Sequence, residues 1–240
     1  MKHLPAQRGF TLVELMIAVT IGLFLVGGLL TLVQAMKRAS LSQSGLSQLQ
    51  ENERMAMTLM TDVIQSTGYF INPLANTAVS SFPVTGAFTA AGQTIVGFGS
   101  HGAAAPGNTI TVRYMTSGND NVINCTGNTS SVGAATFINT FSIDAASGNL
   151  VCQLIVNGGA PTTVPLISGL QNMQIYYGVQ TNTSVSNNSV DAYLDATAVT
   201  NWSAVKSVKV TLTFVNPLNT PATVSFTRII TVMSNTGVST

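Results

Sequence analysis

Glu14 raises the first chemical question. It is the only ionisable side chain between residues 10 and 36, a stretch made mainly of Leu, Val, Ile, Phe, Ala and Gly. A carboxylate inside an apolar helix costs several kcal/mol unless it is paired or protonated. Either its charge reaches water near an interface, or a cation comes to meet it. The second chemically capable pair is Cys125 and Cys152. They are too distant for a Cys-x-x-Cys motif and too few for a tetrahedral thiolate site. In an oxidising compartment they would pair and close a loop of about 27 residues, a constraint of roughly 3–4 kcal/mol in the chain-entropy account. The alternative is two buried free thiols.

Weaker constellations carry less. Gly97-Phe98-Gly99-Ser100-His101-Gly102 fits Gly-x-Gly-x-x-Gly, with Asp120 further on. A dinucleotide site needs a helix N-terminus directly after the glycines. Here Pro106-Gly107 interrupts the chain and a strand follows, so the segment reads as a turn. His101 lacks a nucleophile-elbow motif around any serine, and reads as a solvated loop residue; no catalytic residue is expected. Asn182, Asn187, Asn188, Asp191 and Asp195 resemble a diluted calcium loop, but most positions are neutral amides where hard cations need carboxylates. Neither a metal nor a cofactor is expected. Trp202 reads as half-buried against a sheet, and the sequons at Asn128 and Asn201 as by-products of an Asn/Ser/Thr-rich chain.

Composition narrows the classes further. Only 7% of the 240 residues are charged, with a net charge of +1, against roughly 25% in soluble globular proteins. No basic stripe could neutralise many phosphates, so direct nucleic-acid binding is not expected. Thr, Ser, Asn and Gly replace charge, as in exported β-rich proteins.

The elements that must position Glu14 follow from patterning. Residues 10–36 are long enough to cross about 30 Å of hydrocarbon as a helix. Lys2 and Arg8 precede the run, favouring a cytoplasmic N-terminus, while Lys37 and Arg38 mildly oppose this. A secretory signal would be cut after its apolar region at a small-x-small site, and Gln34-Ala35-Met36 is a poor one. The apolar run is therefore expected to stay with the mature chain. No proline occurs between Phe10 and Gly68. Leu49, Ala56, Met60, Val63 and Thr67, flanked by Leu59 and Ile64, form an apolar stripe opposite Gln50, Glu51, Arg54 and Asp62. One helix over residues 10–66, roughly 85 Å long, is predicted, with Gly27-Gly28 as its weak point. Thr67-Gly68-Tyr69 ends it. Residues 69–106 read as an irregular connection with a few short strands. Alternating runs at 108–114, 137–143, 150–156, 170–177, 205–215 and 223–232 predict strands, with hairpins across 144–149 and 216–219. The fold class is α+β, a long helix followed by antiparallel strands.

Arg8-Gly9-Phe10-Thr11-Leu12-Val13-Glu14-Leu15-Met16 resembles the processing motif of type IV prepilins and pseudopilins. The resemblance implies a pilin-like fold. It also implies a leader, residues 1–9, removed by a prepilin peptidase that cuts between Gly9 and Phe10 and methylates the new N-terminus. Glu14 then takes the family's acidic fifth position, an assembly residue that neutralises a neighbouring subunit's terminal amine. The segments 53–69, 170–178, 190–195 and 200–210 are similar to the PilW family of minor pilins. That resemblance implies four regions: the leader; a transmembrane and filament-core helix over 10–36; its periplasmic continuation over 37–66; and a β-rich head over 67–240. It implies a non-enzymatic subunit that primes assembly of type IV pili, in a tip complex that supports twitching motility and adhesion. The implied partners are other minor pilins, the major pilin, the processing peptidase and the inner-membrane assembly platform. The chain would sit in the bacterial inner membrane before assembly and in the pilus at the cell surface afterwards. A minor pseudopilin of a type II secretion system and a signal-anchored periplasmic binding protein or enzyme are the alternatives. Where major pilins often carry a mid-span proline, this chain has Thr31.

Overall fold

A computed structural model of the chain describes residues 9–99, 108–131, 133–182, 189–218 and 221–235. Helix α1 covers Leu12–Gln65 and runs unbroken through Gly27 and Gly28. Two compact units divide the chain, the first ending at Ser47 and the second beginning at Gln48.

In the first unit, α1 leaves its apolar side chains exposed, Leu23 and Phe24 among them. The segment is long and apolar enough to cross a membrane. Its hydroxyls are satisfied within the helix. Thr20 Oγ1 donates to the carbonyls of Met16 and Ile17 at 3.0 and 2.9 Å. Thr31 Oγ1 donates to that of Gly28 at 2.7 Å. Such back-bonding lets a threonine sit in hydrocarbon without an orphaned donor.

In the second unit, α1 contributes Leu49, Ala56, Met57, Met60, Val63 and Ile64 to the core. This is the expected stripe, widened by Met57. The helix stops at Gly68, whose φ of +76° suits glycine. A Cβ there would also lie 2.4 Å from Ser234 Oγ. Gly68 N donates to Arg113 O, and Met115 N to Tyr69 O, so the chain leaving the helix is stitched onto a strand.

That strand, β2 (Thr109–Thr116), belongs to a five-stranded antiparallel sheet ordered β1-β2-β3-β4-β5. Its other members are β1 (Ile95–Phe98), β3 (Ala135–Asp144), β4 (Asn149–Val156) and β5 (Thr162–Ile167). A four-stranded antiparallel sheet, ordered β7-β6-β8-β9, holds β6 (Leu170–Val179), β7 (Ala192–Leu194), β8 (Val205–Val215) and β9 (Thr223–Thr231). Both predicted hairpins form, β3–β4 with Phe141 opposite Cys152 and β8–β9 with Leu212 opposite Phe226. Period-2 alternation turns Phe137, Phe141 and Ile143 of β3, and Val208, Val210, Leu212 and Phe214 of β8, into one core with α1. Each large apolar side chain buried there contributes about 1.5–3 kcal/mol.

Three elements depart from the sequence expectation. Strand β5 was not among the predicted strands; its Pro165 is accommodated at the sheet edge, beside a register shift in β4. Three-residue β7, the other sheet's edge, is too short for a periodicity signal. In the 69–106 connection, β1 takes in Gly97 and Phe98, and a short helix α2 covers Ala78–Ser81. Those first two residues of the glycine motif are therefore strand and not turn. Gly97 lies against the Tyr177 ring of β6, where a Cβ would meet the hydroxyl at 1.9 Å.

Candidate processing and assembly site

Gly9, Phe10 and Thr11 precede the first helical residue, and Phe10 is 83% exposed. The helix begins where it does because Thr11 caps it. Its Oγ1 accepts from Glu14 N at 3.3 Å and its carbonyl from Leu15 N at 3.2 Å. The sequence reading passed over Thr11, although Thr-x-x-Glu ahead of an apolar run is the spacing of a capping box. Glu14 is the acidic residue of the first turn, where the helix dipole favours negative charge. Its side chain is exposed, and among the described residues no cation lies within ion-pair distance. The arrangement is an accessible Gly9–Phe10 bond, a cap, and a carboxylate one turn in, at the start of a largely apolar helix segment.

The two cysteines are joined. Cys125, in the loop between β2 and β3, is bonded to Cys152 of β4, with Cα atoms 6.0 Å apart, and both are buried. Cys125 N donates to the buried Asn139 Oδ1 at 2.9 Å. The bridge pins this loop to the sheet, and Asp120 shapes the start of the loop. Its carboxylate accepts from Thr116 Oγ1 at 2.6 Å and Ser117 N at 2.8 Å. Partial desolvation opposes the charge, but hydrogen bonds from Thr116, Ser117 and Val122 outweigh it and bring the carboxyl down to about 2.

The asparagine-rich segment is only partly described, since Asn187 and Asn188 lie outside the described residues. Asp191 closes its neck, accepting from Thr181 N and Asn182 N at 2.9 Å each. Those bonds hold its carboxyl below the usual range. Asp195 accepts from Thr197 Oγ1 and Ala198 N. Both carboxylates are thus occupied by donors, and among the described residues no group of His, Cys, Asp and Glu could hold a metal. His101 falls outside the described residues. Trp202 is half-buried, its ring edge-on to Tyr177 at 4.8 Å between centroids.

Arg113 is the residue that sequence reasoning misplaced. Alternation along β2 puts it on a polar face, yet it is 1% exposed. The 82–93 segment covers that face. Arg113 Nε donates to Gln93 O at 2.6 Å, Nη1 to Pro83 O at 2.7 Å, and Nη2 to Phe82 O at 3.1 Å. Its guanidinium lies 4.2 Å from the Phe88 ring centroid and 5.3 Å from that of Phe82. Burial lowers its pKa to about 10, so it stays charged at neutral pH.

Two family models match the chain. Residues 4–30 match the prokaryotic N-terminal methylation motif, and residues 140–236 match the Type IV pilus-assembly protein W family, PilW. No curated protein matches the chain. The second match spans β4 to β9 and the second half of β3, and the first spans the capped start of α1. Together they support a type IV pilus-related minor pilin.

Proposed function

We propose that this chain is a PilW-type minor pilin, a structural subunit that primes assembly of type IV pili from the inner membrane, within a tip complex that supports twitching motility and adhesion. The observation that carries the reading is the accessible Gly9–Phe10 bond ahead of a capped, apolar helix with Glu14 in its first turn. A prepilin peptidase hydrolyses that bond, releasing residues 1–9 and leaving an ammonium at Phe10, which is then N-methylated. The new cation sits at the positive end of the helix macrodipole, equivalent to about half a unit charge. It is therefore poorly placed in lipid without a counter-charge. Glu14 of a neighbouring subunit supplies one, and burying the pair is far less costly than burying either ion alone.

Before assembly, residues 10–36 lie in the inner membrane and residues 67–240 form a head on the periplasmic side, joined by 37–66. Assembly moves the helix from lipid into a bundle of pilin helices. Lipid tails are as apolar as leucine, so packing and the charge pair, not hydrophobic burial, favour that transfer. The partners are the major pilin, other minor pilins and the inner-membrane assembly platform, and no catalytic role is assigned. Mass spectrometry of the native N-terminus tests the reading. N-methylated Phe10 is expected, and a mature chain still beginning at Met1 would overturn it. A deletion strain that secretes exoproteins normally but lacks surface pili separates this reading from a type II secretion pseudopilin.

A further inference from the structure

We infer that a cavity at the C-terminal end of α1 receives a lysine or arginine side chain presented by a partner protein. The cavity, of about 740 Å³, is lined by Asp62, Thr67, Tyr69, Phe70, Ile123 and Met233, among others. Tyr69 and Met233 are 45% and 57% exposed, so apolar wall is open to an incoming group. Such walls suit the methylene stem of a long basic side chain, and the Tyr69 ring offers its π-face to the charged head.

The electrostatics select the sign. Among the described lining residues Asp62 is the only carboxylate, and none is a lysine, arginine or histidine. Among the described residues its carboxylate has no ion-pair partner. The last turn of α1 carries no basic residue, so the negative end of the helix dipole beside the cavity is also uncompensated. A carboxylate and a helix C-terminus beside apolar walls complement a cation on an aliphatic stem and repel an anion. The cation comes from another protein because the second unit's nearby bases are engaged: Lys206 Nζ donates to Asn235 O, Arg54 is paired with Glu51, and Arg113 is buried in the 82–93 grip.

The test uses the full-length protein in detergent with ¹³C-labelled methionine methyls, the Met233 signal being assigned by its loss in Met233→Leu. N-acetyl-lysine methylamide and N-acetyl-arginine methylamide should each shift that signal saturably. N-acetyl-norleucine methylamide, which keeps the stem without the charge, should bind at least about tenfold more weakly. Asp62→Asn should weaken lysine amide binding by a similar factor while the other methionine methyls stay in place. Absence of a saturable shift with both cationic amides, or norleucine binding as tightly as lysine, overturns the inference, and neither result depends on any variant folding. Unchanged lysine affinity in a folded Asp62→Asn also overturns it.

Discussion

Replacing Arg113 with methionine should loosen one segment before it unfolds the domain. Methionine keeps most of the aliphatic stem, so little cavity is created, but all three donors are lost. The carbonyls of Phe82, Pro83 and Gln93 then have no guanidinium to meet them. A buried group left without its partner costs roughly 1–3 kcal/mol; Phe82 O keeps its bond from Gly92 N, so the other two carbonyls would sum to about 2–6 kcal/mol if the segment stayed in place. It need not stay. The 82–93 stretch can swing its carbonyls into water, which limits the loss to the free energy of local opening. The net expectation is a loss of about 3–4 kcal/mol, in the range for breaking one side of a buried charged contact. Arg113→Lys should fall between, since one ammonium keeps the charge but cannot span three carbonyls as a planar fork does. Urea unfolding of the full-length protein in detergent measures the loss. Thermolysin digestion locates it, with the first cuts falling between residues 82 and 93. If Arg113→Met lost less than about 1 kcal/mol and left that segment resistant, the grip would contribute no net stability and the reasoning would fail.

Other expectations follow from the same contacts. Glu14→Ala should leave Gly9–Phe10 cleavage largely intact but reduce incorporation into filaments, because a neighbour's ammonium loses its counter-charge; pilus fractions with wild-type levels of the variant would refute the pairing. Cys125→Ser should remove roughly 3–4 kcal/mol, read by urea unfolding; unchanged stability and protease resistance would mean that the bridge constrains nothing. Tyr177→Phe should be neutral or stabilising despite complete burial, since the tyrosine hydroxyl has no hydrogen-bond partner among the described residues; a loss above about 1 kcal/mol would show that the hydroxyl is bonded. Asp120 has a folded-state pKa of about 2 against an ordinary 3.8. Its stabilisation is therefore full above pH 4 and is lost as pH falls through 2. Asp120→Asn should flatten stability against pH in that window, and an unchanged acid profile would argue against this assignment.

The parts of the fold legible in the sequence were those governed by local period. The stripe Leu49, Ala56, Met60 and Val63 repeats with the helix, and 205–215 alternates with the strand, so both were placed without knowing their partners. Strand β5 carried no such signal: Pro165 is tolerated only because its missing N–H falls on an edge, and edge position is a property of the whole sheet. Arg113 misled for a related reason. Alternation identifies two faces of a strand, but whether the second face is covered depends on a segment 20 to 31 residues away. Thr11 was legible and overlooked, its capping spacing hidden behind the more conspicuous Glu14. The division into two sheets had no local signal, since Tyr177 against Gly97 is a contact between distant strands.

The polar groups of the apolar helix bear on how a subunit could leave the membrane. Thr20 and Thr31 have their hydroxyls satisfied by carbonyls of their own helix. Moving them from lipid to a helical bundle therefore neither breaks nor requires a hydrogen bond. Their contribution to the transfer is packing alone, which is similar in the two environments. Glu14 differs, because its first turn gives it a favourable dipole but, among the described residues, no cation. On the proposed reading, its free energy changes most on assembly, and it does so only when a processed neighbour is present. The same carboxylate would then discriminate cleaved from uncleaved partners. An uncleaved neighbour offers a neutral Gly9–Phe10 amide where a cleaved one offers an ammonium, and the difference scales with how dry the bundle is at that level.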